Sequence, residues 1–295
     1  MNDLGPFERI RDVSPRVALP SLLSVRQHYD VPVEPDVVAA SHRELAPLRS
    51  RIRPGMSVAV TAGSRGIHDV AAVVRAACDW LREQGAEPFI VPAMGSHGDA
   101  TVEGQLAVLE SYGITEQTMG VPLRATMDTV VLGRVPDGPE VHLDVNVAAA
   151  DGVLLVNRVK PHTDFHGDIE SGLAKIAAIG LGKQRGAEGI HAYGSTGLAR
   201  WVPIVARHIV DTGKVLGGLA IVENAHERTA KVALVEPDGI AGPAETALLK
   251  EAGDLLGRLP FDELDVLVVD ELGKDKSGAG MDTNVIGRMW IPGVA

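Results

Sequence analysis

The chain of 295 residues has a single cysteine, Cys78. One thiol allows no internal disulfide, no cysteine-based zinc cluster and no iron–sulfur cluster. Aromatic residues make up only 3%, so the core has to be built from Val, Leu, Ile and Ala. Positive charge is also scarce: 28 Lys and Arg stand against 39 Asp and Glu, a net charge of −11. That balance argues against a general nucleic-acid surface or an anionic-membrane surface. No apolar run approaches the roughly 20 residues of a spanning helix. The opening MNDLGPFERIRD has no apolar stretch of the kind a secretory leader carries. The expectation is a soluble cytoplasmic protein that binds neither nucleic acid nor membrane. Hydrophobic residues reach 45%, which excludes a disordered chain.

Short apolar runs alternate with stretches of helical spacing. Ser57–Thr61 reads as a buried strand, followed by the turn cluster Ala62–Gly66. Residues 68–84 repeat apolar positions at helical spacing and stop at Gly85. Phe89–Pro92 is the next strand, so this unit predicts a parallel pair with a right-handed crossover. Further expected elements are helices near 36–46, 102–112, 170–180, 197–211 and 242–257. Short strands are expected around the Pro136-Asp137-Gly138 turn, and others at 152–157, 216–223, 229–235 and 264–269. The expected fold is α/β: an N-terminal domain over 1–258 with a parallel sheet and helices on both faces, plus the start of a second α/β domain over 259–295. The last residues, Ile291–Ala295, bring no helix to close that second unit. The expectation is a fragment, or a chain completed by a partner.

Polar residues concentrate just beyond the predicted strands, where open parallel sheets place their ligands. His97 lies in Met94-Gly-Ser-His97 after one strand. His162 and His166 lie in the loop after another, with Arg158, Lys160, Asp164 and Asp168. Thr163 follows His162 where a zinc-protease motif needs glutamate, so that motif is absent. Lys175 sits among Leu173, Ala174, Ile176 and Ala177. A lysine in apolar surroundings is costly unless paired, neutral or bonded, and a neutral one is a nucleophile. The plainer reading is a lysine that reaches the surface from a helix edge. Gly180-Leu-Gly-Lys183-Gln-Arg-Gly186 departs from both the Walker and the Rossmann patterns. Lys183 and Arg185 are either phosphate contacts or the basic last turn of a helix. Ser64 and Arg65, in the first strand-to-helix turn, are phosphate candidates. His68 and Asp69 read as a helix cap. His191, sixteen residues after Lys175, is a candidate ligand for nickel, zinc, copper or iron.

In order and spacing, Met94–His97, Pro161-His162, Ser171–Lys175 and His191 resemble the nickel-pincer lactate racemase family. Asp282-Thr-Asn284 is similar to a segment of that family's second domain. The resemblance implies two α/β domains with the site between them. It implies nickel held in a pyridinium-derived pincer mononucleotide, covalently attached to Lys175 and completed by His191. Arg65 would lie near the cofactor phosphate; the reading of the residues themselves adds Ser64 and Lys183 as candidate cofactor contacts. His97 and His162 would be alternating acid and base while hydride leaves and returns to carbon. Histidine suits both roles because its ordinary pKa of about 6.5 lies near working pH. The His162-to-Lys175 loop is longer than the family pattern, which opens the second role to His166. Ala62 and Leu173 also depart from that pattern, and a sugar acid is as good a candidate as lactate. Lys274, Lys276 and Arg288 are candidates for a cationic substrate contact.

The expected activity is therefore isomerase: a nickel-dependent racemase or epimerase of a small 2-hydroxy acid. It would depend on cofactor-biosynthesis enzymes and is compatible with a homo-oligomer. Two alternatives differ in class. One is a metal hydrolase or lyase using His97, His162, His166 and His191 alone. The other is a non-catalytic nucleotide-binding relative.

Overall fold

The computed structural model describes residues 21, 23–29, 31–273, 277 and 280–286. Helix α1 (Val37–Leu45) is capped by the Asp36 carboxylate, which accepts from Ala39 N at 2.9 Å. Strand β1 (Ser57–Ala62), helix α2 (Val70–Glu83) and strand β2 (Glu87–Pro92) form the expected unit, with β1 and β2 parallel. Helix α3 (Val102–Ser111) starts at Thr101, whose hydroxyl accepts from Gly104 N. Strands β3 (Thr129–Arg134) and β4 (Glu140–Asp144) make a separate antiparallel pair around the Pro-Asp-Gly turn. A helical turn at Val145–Ala149, unexpected from the sequence, follows because the Asp144 carboxylate caps it. Then come strand β5 (Gly152–Arg158), helix α4 (Lys183–His191), helix α5 (Gly194–Val210), strand β6 (Val215–Glu223), strand β7 (Thr229–Val235) and helix α6 (Pro243–Leu255).

The central sheet has the order β2-β1-β5-β6-β7. It is mainly parallel, as the apolar strands predict, but β7 runs antiparallel to β6. Only five residues separate the two strands, too few for the crossover a parallel pair needs. Along β5, Val153 and Leu155 enter one apolar cluster, and Leu154 and Val156 enter the other. This two-residue alternation buries both faces. One face is covered by α1 and α2, the other by residues 173–210 and α6. The single thiol, Cys78, is buried in α2, and burial pushes it up to about 12.

Three expectations need correction. The helix expected over 170–180 begins at Leu173, and Ile176–Gly180 is wound wider as a π-helix. The run Leu264–Val269 is not a buried strand: it has no strand partner among the described residues, and Val266 and Val268 are 76% and 83% exposed. Apolarity marks a strand only where a sheet edge is there to receive it. The Gly180–Gly186 stretch ends the π-helix at Gly180, but its basic residues do not form that helix's last turn: Lys183 opens α4, with a left-handed φ of 52°.

Candidate active site

Neighbouring strands β1 and β5 send their following helices to opposite faces, which opens a crevice at their carboxyl ends. Ser64 and Arg65 follow β1, His97 follows β2, and His162 and His166 follow β5. Glu223 closes β6, where it pairs with Arg158 and accepts from His68 N at 2.7 Å. Lys175 stands at the junction of a short α-turn and the π-helix, a widening that recurs at functional sites. His191 ends α4.

The His97 loop is pressed hard onto α3. A Cβ on Gly104 would lie 2.0 Å from Gly98 O, so only glycine allows that approach. Gln105, fully buried, donates to the carbonyls of Gly95 and His97. The long β5 loop is pinned from two sides. Glu170, buried, accepts from the backbone N–H groups of His162 and Gly167. Asn284 donates to His162 O at 3.1 Å, Thr283 donates to Thr163 O at 2.9 Å, and Asp282 pairs with Lys160 at 3.0 Å. The Asp282–Asn284 segment therefore seals the back of the histidine loop.

Four histidines share one arrangement: Nδ1 is anchored, and Nε2 has no hydrogen-bond partner among the described residues. His97 Nδ1 lies 2.5 Å from Ser64 Oγ. His162 Nδ1 accepts the Asp164 N–H at 3.0 Å. His166 Nδ1 lies 3.0 Å from Glu170 Oε1, and His191 Nδ1 lies 2.6 Å from Ala187 O. A carbonyl only accepts, so His191 carries its proton on Nδ1 and leaves a lone pair on Nε2. Metal-binding histidines are commonly oriented this way. Ser64 can donate or accept, so His97 can hold its ring proton on either nitrogen.

Charge gathers the cluster. Burial lowers the Lys175 ammonium to about 8; Arg65 pushes the same way, and Asp164 and Glu170 oppose it. Burial, Lys175, Arg65 and His191 push His162 down to about 3, against Asp282. His97 is lowered by burial first, then by Arg65, Lys175 and His191. In the unfolded chain an imidazole takes its proton near pH 6.5, whereas folded His162 resists to about pH 3. Between those values the unfolded state binds more protons, so stability falls as pH drops through the window. Urea midpoints are expected to decline from pH 7 to pH 4, and to decline less in His162→Gln. An equal decline in both proteins would contradict this assignment.

Arg65, His97, His162, Lys175 and His191 are thus brought within electrostatic reach of one another, with Ser64 on His97. His166 shares the loop but is exposed. Lys183 is not a phosphate contact. Its side chain is wholly buried, 2.9 Å from the Asp144 carboxylate and bonded to Pro92 O. His68 and Asp69 do not cap α2: Asp69 bonds His68 Nδ1 and Thr229 instead. Lys274, Lys276 and Arg288 lie outside the described residues. Sequence reasoning missed Glu170, whose signal was a carboxylate four residues after His166, and Tyr112, which donates to Ser64 O at 2.7 Å. A separate cavity of about 430 Å³ lies beside the crevice, walled by Tyr29, Arg158, Lys160, Glu223, Met281 and Asp282.

The protein groups fit a covalently held, phosphate-bearing nickel group. Lys175 offers a desolvated amine that makes no hydrogen bond among the described residues. His191 offers Nε2. Arg65, exposed and unpaired among the described residues, offers a phosphate fork. By contrast, no three His, Cys, Asp or Glu side chains among the described residues are grouped to hold a metal ion. No helix among the described residues is long and apolar enough to cross a membrane.

No protein-family model matches the chain, and no curated protein sequence matches it. In three dimensions it is similar to the lactate racemase apoprotein from Thermoanaerobacterium thermosaccharolyticum, with a TM-score of 0.51 and 11% identity. The match covers 70% of this chain and 54% of that one, so the chain spans about half the length of that protein. The fold is a lactate-racemase-like α/β fold, with a mainly parallel sheet flanked by helices.

Proposed function

We propose that this chain is the cofactor-bearing part of a nickel-dependent isomerase, a racemase or epimerase of a small 2-hydroxy acid. The observation that carries the reading is the convergence of a depressed lysine amine, Lys175, with His97, His162, His191 and unpaired Arg65 on a lactate-racemase-like fold. Lys175 and His191 would hold the nickel-pincer nucleotide, with Arg65 and Ser64 toward its phosphate. When bound, that group supplies a hydride acceptor and donor. The protein moves the protons. His97, neutral at pH 7, takes the substrate hydroxyl proton at Nε2, with its Nδ1–H donated to Ser64 Oγ. A second histidine, from the 162–166 loop, serves the other enantiomer, because the two place their hydroxyls differently. Burial holds the His97 and His162 imidazoles below their ordinary range, so both are unprotonated near neutral pH.

The test is intact mass and bound-metal analysis after co-expression with pincer-cofactor biosynthesis enzymes and nickel, with Lys175→Ala alongside. The expected result is added mass on the Lys175 peptide and about one nickel per chain, both absent in the variant. An unmodified chain, from cells shown to make the cofactor, would overturn the reading. Zinc without added mass would favour the histidine-only centre. Nucleotide binding without metal, unaffected by His97→Ala, would favour a non-catalytic binding module.

A further inference from the structure

The β5 loop carries two histidines, and their anchors differ in chemical kind. His166 Nδ1 faces a carboxylate oxygen, Glu170 Oε1 at 3.0 Å, which only accepts. His162 Nδ1 faces a backbone N–H, that of Asp164 at 3.0 Å, which only donates. A neutral imidazole has one proton, so the anchor decides which nitrogen carries it. His166 must hold its proton on Nδ1 and present a bare Nε2. His162 must leave Nδ1 bare and present Nε2–H.

We propose that Glu170 is a positioning residue that divides the work of this loop, making His166 the proton acceptor and His162 a hydrogen-bond donor. The inference rests on the isomerase reading for what the two nitrogens serve, but the proton placement belongs to the protein alone. Glu170 suits the task because three donors converge on its two oxygens. Oε2 receives the His162 N–H, and Oε1 receives the Gly167 N–H and His166 Nδ1. Glutamine cannot replace it: whichever way the amide turns, its NH2 meets at least one of those donors. Glu170 is also buried, with its side chain 7% exposed, so water does not easily take its place. His162 is held as a donor by more than one contact. Its ring lies against Phe165 at 4.4 Å between centroids, and its carbonyl is tied to Asn284. In this arrangement substrate oxygen receives a hydrogen bond from His162 Nε2–H. The hydroxyl proton passes to His166 Nε2 as the hydride leaves carbon, giving a doubly protonated imidazole whose Nδ1–H faces the Glu170 carboxylate. The hydride would pass to the bound group proposed above and return to the opposite face of the planar keto acid, whose oxygen recovers the proton, so atoms and charge balance over the cycle.

The test uses heteronuclear NMR of the ring nitrogens of the full chain, without cofactor, at pH 8. His166 is expected to show a protonated Nδ1 and bare Nε2, and His162 the opposite. In Glu170→Gln, His166 is expected to lose its single fixed form. Glu170→Asp keeps the charge but withdraws it by one methylene, and it is the fallback if the glutamine variant fails to fold. The opposite tautomers in the unaltered chain, or a His166 signal indifferent to both variants, would overturn the proposal. In the cofactor-loaded enzyme, His166→Gln is expected to lower kcat by about 10²-fold or more. His162→Gln, which keeps an N–H donor, is expected to act mainly on KM. The reverse ranking would also overturn it. A loaded chain that racemises nothing would count against the isomerase reading and leave the tautomer result standing.

Discussion

Lys175→Arg is expected to give a chain that folds but takes up no covalent group. Arginine keeps the positive charge beside Arg65, Asp164 and Glu170, and so leaves the local electrostatics nearly unchanged. It stays protonated at any working pH and has no free amine to offer. Lysine differs because burial, helped by Arg65, lowers its ammonium to about 8. At pH 8 about half of such an amine is unprotonated, against roughly 0.4% for a lysine of ordinary pKa near 10.4. The bare chain therefore offers a direct measurement. An amine-directed reagent in limiting amount at pH 8 should modify Lys175 ahead of exposed lysines such as Lys250. The rate should rise through a midpoint near pH 8. A midpoint near 10 at Lys175 would remove the chemical basis for covalent attachment.

Asp144→Ala is expected to destabilise the fold by about 3–5 kcal/mol, because it strands a buried ammonium. Asp144 and Lys183 are both fully buried and lie 2.9 Å apart. Burial lowers the lysine, Asp144 opposes that, and Lys183 donates also to Pro92 O. The second aspartate oxygen, Oδ1, caps the 145–149 turn from Asn146 N at 2.7 Å. Losing a cap alone costs about 1 kcal/mol, so a loss no larger than that would mean the charge pair contributes little. Replacing both partners by apolar residues, Asp144→Leu with Lys183→Met, should restore most of the stability apart from the cap. By comparison, Lys231→Ala breaks an exposed pair with Glu251 and should cost under about 1 kcal/mol. Urea denaturation of the four proteins makes the comparison. The pair also has a place in the site. Pro92 ends the strand that leads to His97, and Lys183 begins the helix that ends at His191, so breaking the pair should loosen both histidines together.

Much of this architecture was legible in the chain itself. The short apolar runs of β1 and β5 and the helical rhythm of α2 and α5 are local properties, legible before any partner is placed. The loops after β1, β2 and β5 could be recognised as site-bearing for the same reason: they follow apolar strands of one parallel sheet. The exposed run Leu264–Val269 and the antiparallel β7 show where rhythm fails, since an apolar hexamer does not carry its neighbour or direction within it. Lys183 shows it for charge. In sequence it stands in a glycine-rich, basic stretch that suggests phosphate, and only the fold brings Asp144 from β4 to meet it.

The histidines divide along the same line. Their identity, and their placement after strands or at a helix end, follow from the sequence. The proton on each ring follows from the atom facing Nδ1: a serine hydroxyl, a backbone N–H, a carboxylate or a carbonyl. The Glu170 contact lies within one loop, yet its burial belongs to the folded chain. The Ser64–His97 contact joins two turns 33 residues apart. The chain determined which groups stand at the crevice because secondary structure is periodic and local. Tertiary packing decided what each group can do, because a proton's position and a lysine's charge depend on the partner atoms and on the water that burial removes.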